Sequence, residues 1–239
     1  MKVDVYASNT HLLKRDANRK TVVVIDTLRA TSTIITAMAN GCHQVVPVVD
    51  VEAAMDLKIT MAHNNAVLGG ERGGEKLPGF DLGNSPLEYT KKAIGGHTLI
   101  LSTTNGTASI QKASDARRLF IGGLINASAV ADALCAWGDD FIILCSGTGG
   151  RFSTDDVLTA GCILSILRQR GMALEVDDLG IVAESLYLSG KKDILKYLSN
   201  TRHFNILLNL GREEDLVYCL SQDIHSVVPE YRDGRIVLD

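Results

Sequence analysis

Thr21-Val22-Val23-Val24-Ile25-Asp26-Thr27-Leu28-Arg29-Ala30-Thr31-Ser32-Thr33 is a β-branched run that stops on an aspartate and passes through small hydroxyl residues into a helical pattern. Its apolar part, residues 22–25, shows no alternation, which suits a strand buried on both faces as in parallel sheets. The helical reading of 31–40 directly behind it completes a strand–loop–helix unit, and the unit recurs. Residues 44–48, 66–68, 98–101, 118–121 and 141–145 are further short apolar runs. Residues 51–64, 86–93, 107–113 and 127–137 lie between or beyond them and read as helices. Such alternation predicts an α/β fold, three layers α/β/α, with a mostly parallel or mixed sheet covered on both faces.

After residue 154 the character changes. Segments 154–169, 176–188, 191–198, 202–210 and 213–220 all read as helical, and 235–238 as an edge strand. The expectation is a single domain over 1–239 whose helical part, 154–225, forms a layer or lobe against the sheet. No repeat, low-complexity tract or Pro-rich linker divides the chain, which holds only four prolines.

With 239 residues and 46% hydrophobic content, the chain can bury a full core without disulfides or structural metal. A net charge of -4 offers no uniform field for nucleic acid, so a bound anion must be held by a few local cations and backbone N–H groups. The five cysteines are odd in number and contain no C-x-x-C pair, which argues against a zinc site or a disulfide framework and for a reducing compartment. Residues 1–19 lack the apolar region of a signal peptide, and no stretch has transmembrane length. A cytoplasmic enzyme with no membrane or nucleic-acid partner is expected, and a homodimer is the ordinary assembly for its size.

In open α/β sheets, ligands bind beyond the carboxyl ends of the strands. Three strands here end in small, polar loops. In the first, Asp26 is placed for a hard cation or nucleophilic work and Arg29 for an oxyanion, although Asp26 as a turn cap and Arg29 as a surface residue remain open. The second, Ser102-Thr103-Thr104-Asn105-Gly106-Thr107, offers more hydroxyls and amides before a helix than capping requires. The third, Cys145-Ser146-Gly147-Thr148-Gly149-Gly150-Arg151, precedes Asp155 and Asp156, whose ordinary role in a first helical turn is to compensate the dipole. Between the first two lies a glycine-rich excursion, residues 69–86, that carries Glu71, Arg72, Asp81 and Asn84. Loops of that length are usually functional.

Common templates fail. Gly74 is followed by Glu75-Lys76-Leu77, so no Walker A string exists, and no G-x-S-x-G elbow occurs. Gly147-x-Gly149-x-x-Phe152 misses the dinucleotide fingerprint at its last position, and Leu28 stands where haloacid-dehalogenase-type phosphatases carry a second aspartate. Cys145 and Arg151 do have the C-x5-R spacing of cysteine-dependent phosphatases, but Cys162 and Arg168 match it too inside a helical pattern.

Five strings in one order, residues 25–33, 69–74, 79–86, 103–107 and 145–153, closely resemble the 2-phosphosulfolactate phosphatase (ComB) family. The resemblance runs from about residue 20 to the C-terminus. It implies a three-layer α/β/α fold and a Mg²⁺-dependent phosphatase that hydrolyses the phosphate ester of a 2-hydroxy acid on the route to coenzyme M. Asp155 departs from it, standing where the longer Glu is expected in many relatives. On this basis Asp26, Glu71 and Asp156 are the candidate catalytic residues, and Asp26, Glu71, Asp81 and Asp155 the candidate Mg²⁺ ligands. Arg29, Arg72, Thr104, Asn105, Ser146, Gly147, Thr148 and Arg151 are expected to hold the small phosphorylated substrate. Two other readings stay open: a non-catalytic binder of organic phosphates or sulfonates, and a thiolate phosphatase using Cys145 and Arg151.

Overall fold

The structure is a computed structural model that describes residues 1–61 and 65–238, with Lys14 described in its backbone alone. The strands are β1 Lys2–Tyr6, β2 Thr21–Ile25, β3 Gln44–Pro47, β4 Ala66–Arg72, β5 Glu75–Lys76, β6 Thr98–Ser102, β7 Arg118–Gly122, β8 Phe141–Cys145, β9 Glu175–Val176, β10 Glu230–Arg232 and β11 Arg235–Val237. The helices are α1 Lys14–Ala17, α2 Ala30–Ala39, α3 Val51–Thr60, α4 Lys91–Ile94, α5 Gly106–Lys112, α6 Ala127–Trp137, α7 Thr154–Gln169, α8 Asp178–Gly190, α9 Ile194–Leu198, α10 Arg202–Asn209 and α11 Glu213–Cys219.

All strands join one mixed sheet, in the order β5-β4-β6-β3-β11-β10-β7-β2-β8-β1-β9. Two parallel blocks, β4-β6-β3 and β7-β2-β8-β1-β9, are bridged by the antiparallel hairpin β10-β11. The hairpin reverses one block relative to the other. Five inter-strand steps separate β6 from β2, and the usual twist rotates them by roughly 100–125° in total, which offsets much of that reversal. The loops that leave β2, β4 and β6 thereby meet at one cleft.

Burial follows from the sequence pattern. On β2, Val22 and Val24 face one core with Ile34, Ile35, Leu99 and Ile110, while Val23 and Ile25 face another with Leu134, Val157 and Leu164. Because both faces are covered, every β2 residue is buried and no alternation is visible in the sequence. Helix α2 is buried from Ala30 to Met38 and touches β3, β7 and α5, so it is packed between the two parallel blocks. Helices α6, α7 and α8 cover the outer face of the β1-β2-β8 block, and α3 covers that of the β4-β6 block.

The expected α/β fold with a mixed sheet is the one found. Three local expectations are corrected, and one strand is new. Residues 86–93 are not one helix: a 3-10 turn, Pro86–Glu88, breaks at fully buried Tyr89 before Thr90 caps α4. The expected edge strand at 235–238 is β11, which sits between β3 and β10 inside the sheet. At the other margin β1 joins the sheet unforeseen, with Val3 and Val5 turned inward. Helix α3 ends at Thr60, and residues 62–64 of the helix expected at 51–64 lie outside the described residues. No helix among the described residues is long and apolar enough to cross a membrane.

Candidate functional site

A cleft of about 170 Å³ opens where these loops meet, lined by Asp26, Arg29, Glu71, Asn84, Thr104, Asn105, Thr148 and His203, among others. The first loop is folded by its own hydroxyls. Thr31 accepts from the Asp26 amide (3.0 Å) and donates to the Asp26 carbonyl (2.9 Å), and Ser32 donates to the Thr27 carbonyl (2.8 Å). Asp26 Oδ1 accepts from the Ala30 amide at 3.3 Å. Asp26 Oδ2 lies against Gly106, where a Cβ would come within 2.9 Å of that oxygen and 2.5 Å of the Ala30 Cβ. Only glycine lets α5 start so close to the carboxylate.

Burial pushes the Asp26 carboxyl up to about 6, aided by the charges of Asp155 and Glu71 and opposed by His203 and the Ala30 amide. Its charge is thus incompletely compensated by the protein around it.

Other acids of the expected set are used differently. Glu71 accepts from the Gly74 amide through Oε2 (2.7 Å) and from the Thr104 amide through Oε1 (2.8 Å), tying the β4 turn to the loop after β6. Asp156 accepts from the Thr27 amide (2.8 Å) and the Gly147 amide (3.0 Å), tying the loop after β2 to the loop after β8. Burial and the charges of Asp155 and Asp26 push the Asp156 carboxyl well above the carboxylate range. Both side chains, expected as catalytic residues and Glu71 also as a metal ligand, tie neighbouring loops together, and Glu71 also lines the cleft.

Asp155 differs from its neighbour. Its Oδ1 accepts from Ser153 Oγ at 2.6 Å, while Oδ2 is buried without a hydrogen-bond partner and faces His203 Nδ1 across 3.6 Å, too far for a hydrogen bond. Burial would raise this carboxyl, but His203 and Ser153 hold it below its ordinary value. The same pairing outweighs burial at His203 and raises the imidazole. His203 Nδ1 also lies 3.2 Å from Thr148 Oγ1.

Arg29 is buried at the cleft wall, held by Asp215 Oδ2 (2.6 Å) and by the Gly74 carbonyl (2.8 Å). Asp215 in turn accepts from Ser85 Oγ at 2.5 Å. Two of the five guanidinium N–H donors are used, and the rest remain for a ligand.

Three expected residues stand apart from the cleft. Arg72 turns to backbone, donating to the carbonyls of Glu71 (2.7 Å) and Val49 (2.8 Å) and to Ser102 Oγ (3.0 Å). Asp81 is exposed, paired with Lys58 at 2.6 Å and accepting from the Leu68 amide at 2.7 Å, so its carboxylate is already engaged. Arg151 lines a neighbouring cavity. Ser146 and Gly147 are buried behind the loop; Gly147 takes φ 69°, and a Cβ there would meet the Arg151 carbonyl at 2.3 Å. Cys145 is fully buried, and burial, with Asp156 and Asp155 nearby, pushes its thiol well up. A thiolate nucleophile needs the opposite shift, which counts against the cysteine route.

His203 and Asp215 escape the sequence reading altogether. Each is an isolated residue in an amphipathic or acidic helical stretch, far from any glycine loop, and no local string marks it.

The model of the 2-phosphosulpholactate phosphatase family matches residues 7–234. A protein of Clostridium novyi (strain NT) named probable 2-phosphosulfolactate phosphatase is 44% identical over 237 residues, 99% of each chain. A likewise named protein of Clostridium acetobutylicum is 40% identical over 99% of this chain and 100% of its own. One from Caldanaerobacter subterraneus subsp. tengcongensis is 40% identical over 99% of this chain and 98% of its own. With the family model spanning nearly the whole length and whole-chain relatives at these identities, the protein belongs to the 2-phosphosulfolactate phosphatase family.

Proposed function

We propose that this protein hydrolyses the phosphate ester of a 2-hydroxy acid, (2R)-2-phospho-3-sulfolactate, to 3-sulfolactate and inorganic phosphate, with Mg²⁺ as cofactor and as a step toward coenzyme M. It is in this reading a phosphoric monoester hydrolase, as the family name describes. The observation that carries it is Asp26: a buried carboxylate in a cleft beside Arg29 and the loop after β6, with one oxygen given no protein donor.

The residues present fit a hydrated Mg²⁺. Such an ion ordinarily takes one or two carboxylates and keeps its waters. Asp26 Oδ2 and Asp155 Oδ2 are the two carboxylate oxygens near the cleft that no hydrogen bond claims, and the second is fully buried. Of the four expected ligands, Glu71 accepts from two amides and Asp81 is paired with Lys58, which leaves Asp26 and Asp155 as the pair favoured for the ion. When bound there, the ion supplies charge neutralisation of the phosphoryl oxygens.

The protein's own groups do the rest. Arg29 and the donors of Thr104, Asn105 and Thr148 orient the phosphate, since they line one cleft. Asp26 is the acid placed to orient the attacking water and take its proton. The new P–O bond forms to the water oxygen, the bond to the C2 oxygen breaks, and that oxygen leaves as the alcohol, taking a proton from solvent while Asp26 returns to solvent the one it accepted. The test is phosphate release with Mg²⁺ or with EDTA. Release that needs Mg²⁺ and survives Cys145→Ser is expected. Full activity in EDTA, abolished by Cys145→Ser, would overturn the reading in favour of the thiolate.

A further inference from the structure

A second cavity, about 190 Å³, opens beside the cleft and shares two of its walls, Thr148 and His203. Its other walls include Arg151 from the loop after β8 and Thr201 and Arg202 from the start of α10. At about 30 Å³ per water, the volume takes several waters or a small oxyanion with its solvent. The two arginines are 51 positions apart in sequence, yet they border one hollow. Among the described residues neither is given a carboxylate partner, whereas Arg117, Arg118, Arg168 and Arg170 each are. Asp155, the acid in this wall, is buried and turns Oδ1 to Ser153 and Oδ2 toward His203 at 3.6 Å, and it makes no ion pair with either arginine. Ser153 stands at the N-cap of α7 but gives its hydroxyl to Asp155, so the first-turn amides of a sixteen-residue helix have no side-chain cap. Two exposed arginines thus border one hollow in an acidic protein, and neither is paired with a carboxylate, which suits an anion.

We propose that this cavity is the subsite for the substrate's non-transferred sulfonate, with Arg202 and Arg151 as its specificity-determining residues. The proposal rests on the phosphatase reading and deepens it. Thr148 and His203 form the partition between the two hollows, so a three-carbon acid with its phosphate beside Asp26 reaches past them with the group at its other end. Guanidiniums from two sides, with Thr201, suit an oxyanion with three oxygens.

The experiment compares phosphate release from 2-phospho-3-sulfolactate and from 2-phospholactate, which lacks the sulfonate, in the wild type, Arg202→Ala and Arg202→Lys. Isothermal titration with 3-sulfolactate and with lactate runs alongside. Arg202→Ala is expected to lower kcat/KM for the sulfonated ester at least thirtyfold, chiefly through KM, and to leave the lactate ester within threefold. Arg202→Lys is expected to recover part of the loss, because it keeps the charge without the planar fork. Equal losses on both esters, or no loss on either, would overturn the subsite and leave the reaction standing. Saturable binding of 3-sulfolactate, lost in Arg202→Ala, without phosphate release from either ester would keep the subsite and overturn the reaction. Neither binding nor release by the wild type would overturn both.

Discussion

Asp26 and Glu71 line the same cleft, one after β2 and one at the end of β4, and the fold treats their charges in opposite ways. Glu71 is met by two backbone amides, one for each oxygen; Asp156 also accepts two amides, but burial and the charges of Asp155 and Asp26 still push its carboxyl up. Asp215 is met by a buried guanidinium and a hydroxyl. Asp26 receives a single long amide bond and is left with a carboxyl raised to about 6. Glu71 and Asp215, with a donor on each oxygen, tie elements of the protein together. An acid whose charge is left uncompensated destabilises it, and has that charge available for a ligand. Strain of this electrostatic kind gathers where chemistry is done.

The contrast can be broken from the structural side first. Asp215→Ala leaves Arg29 buried without its carboxylate, and removing one member of a buried pair costs about 3–5 kcal/mol. Chemical denaturation should show the largest stability loss of this series, together with loss of activity; a loss under about 1 kcal/mol would mean that Gly74 and solvent suffice for Arg29. Glu71→Gln turns an N–H toward an amide donor that had an acceptor, and Asp156→Ala removes the acceptor of the Thr27 and Gly147 amides. Each should cost about 1–3 kcal/mol at neutral pH, and activity should fall as the loops loosen. A full retention of stability in either variant would remove the clamp assignment.

The Asp155–His203 pair sharpens the comparison through pH. The imidazole is raised above its ordinary 6.5, so its contribution to stability is complete below about 6.5 and is lost as pH rises through the higher folded value. The carboxylate is lowered, so its part is present above its ordinary value and is lost as pH falls through the folded one. Melting temperatures measured across pH should therefore show a loss on the alkaline side that His203→Gln flattens; an unchanged profile would contradict the pairing. The smallest effects are expected outside the cleft. Asp81→Asn removes an exposed ion pair but keeps an acceptor for Leu68, so it should cost less than about 1 kcal/mol and leave the rate of phosphate release unchanged.

How much of this could be read in the sequence depends on locality. The strands β2, β3, β4, β6, β7 and β8 are legible because residues such as 22–25 and 141–145 are buried on both faces and carry continuous apolar runs. Strand β1 escapes because it lies beside an edge, with Lys2 exposed and Asp4 and Tyr6 half-buried, and β10 because its three residues are Glu, Tyr and Arg. The cleft was legible as a cluster of glycine and hydroxyl loops, since each such loop is a contiguous string. What each acid does inside it was not. Glu71 and Asp26 follow strands of like composition, and only the three-dimensional placement of the Gly74, Thr104 and Ala30 amides separates a clamp from an uncompensated charge. His203 and Asp215 arrive from α10 and α11, where nothing local distinguishes them from a solvated helix face.

The central claim is that Asp26 holds a charge that the fold does not compensate, for use in the reaction. Its most direct test is Asp26→Asn, assayed for phosphate release and melted without metal at pH 8. An acid raised from its ordinary range to about 6 lowers stability progressively as pH rises through that interval, and replacing it should recover on the order of 2–3 kcal/mol at pH 8. The account predicts a variant that melts several degrees higher than the wild type and releases phosphate at least about a thousandfold more slowly. A variant that melts lower, or that keeps phosphate release within tenfold of the wild type, would contradict it.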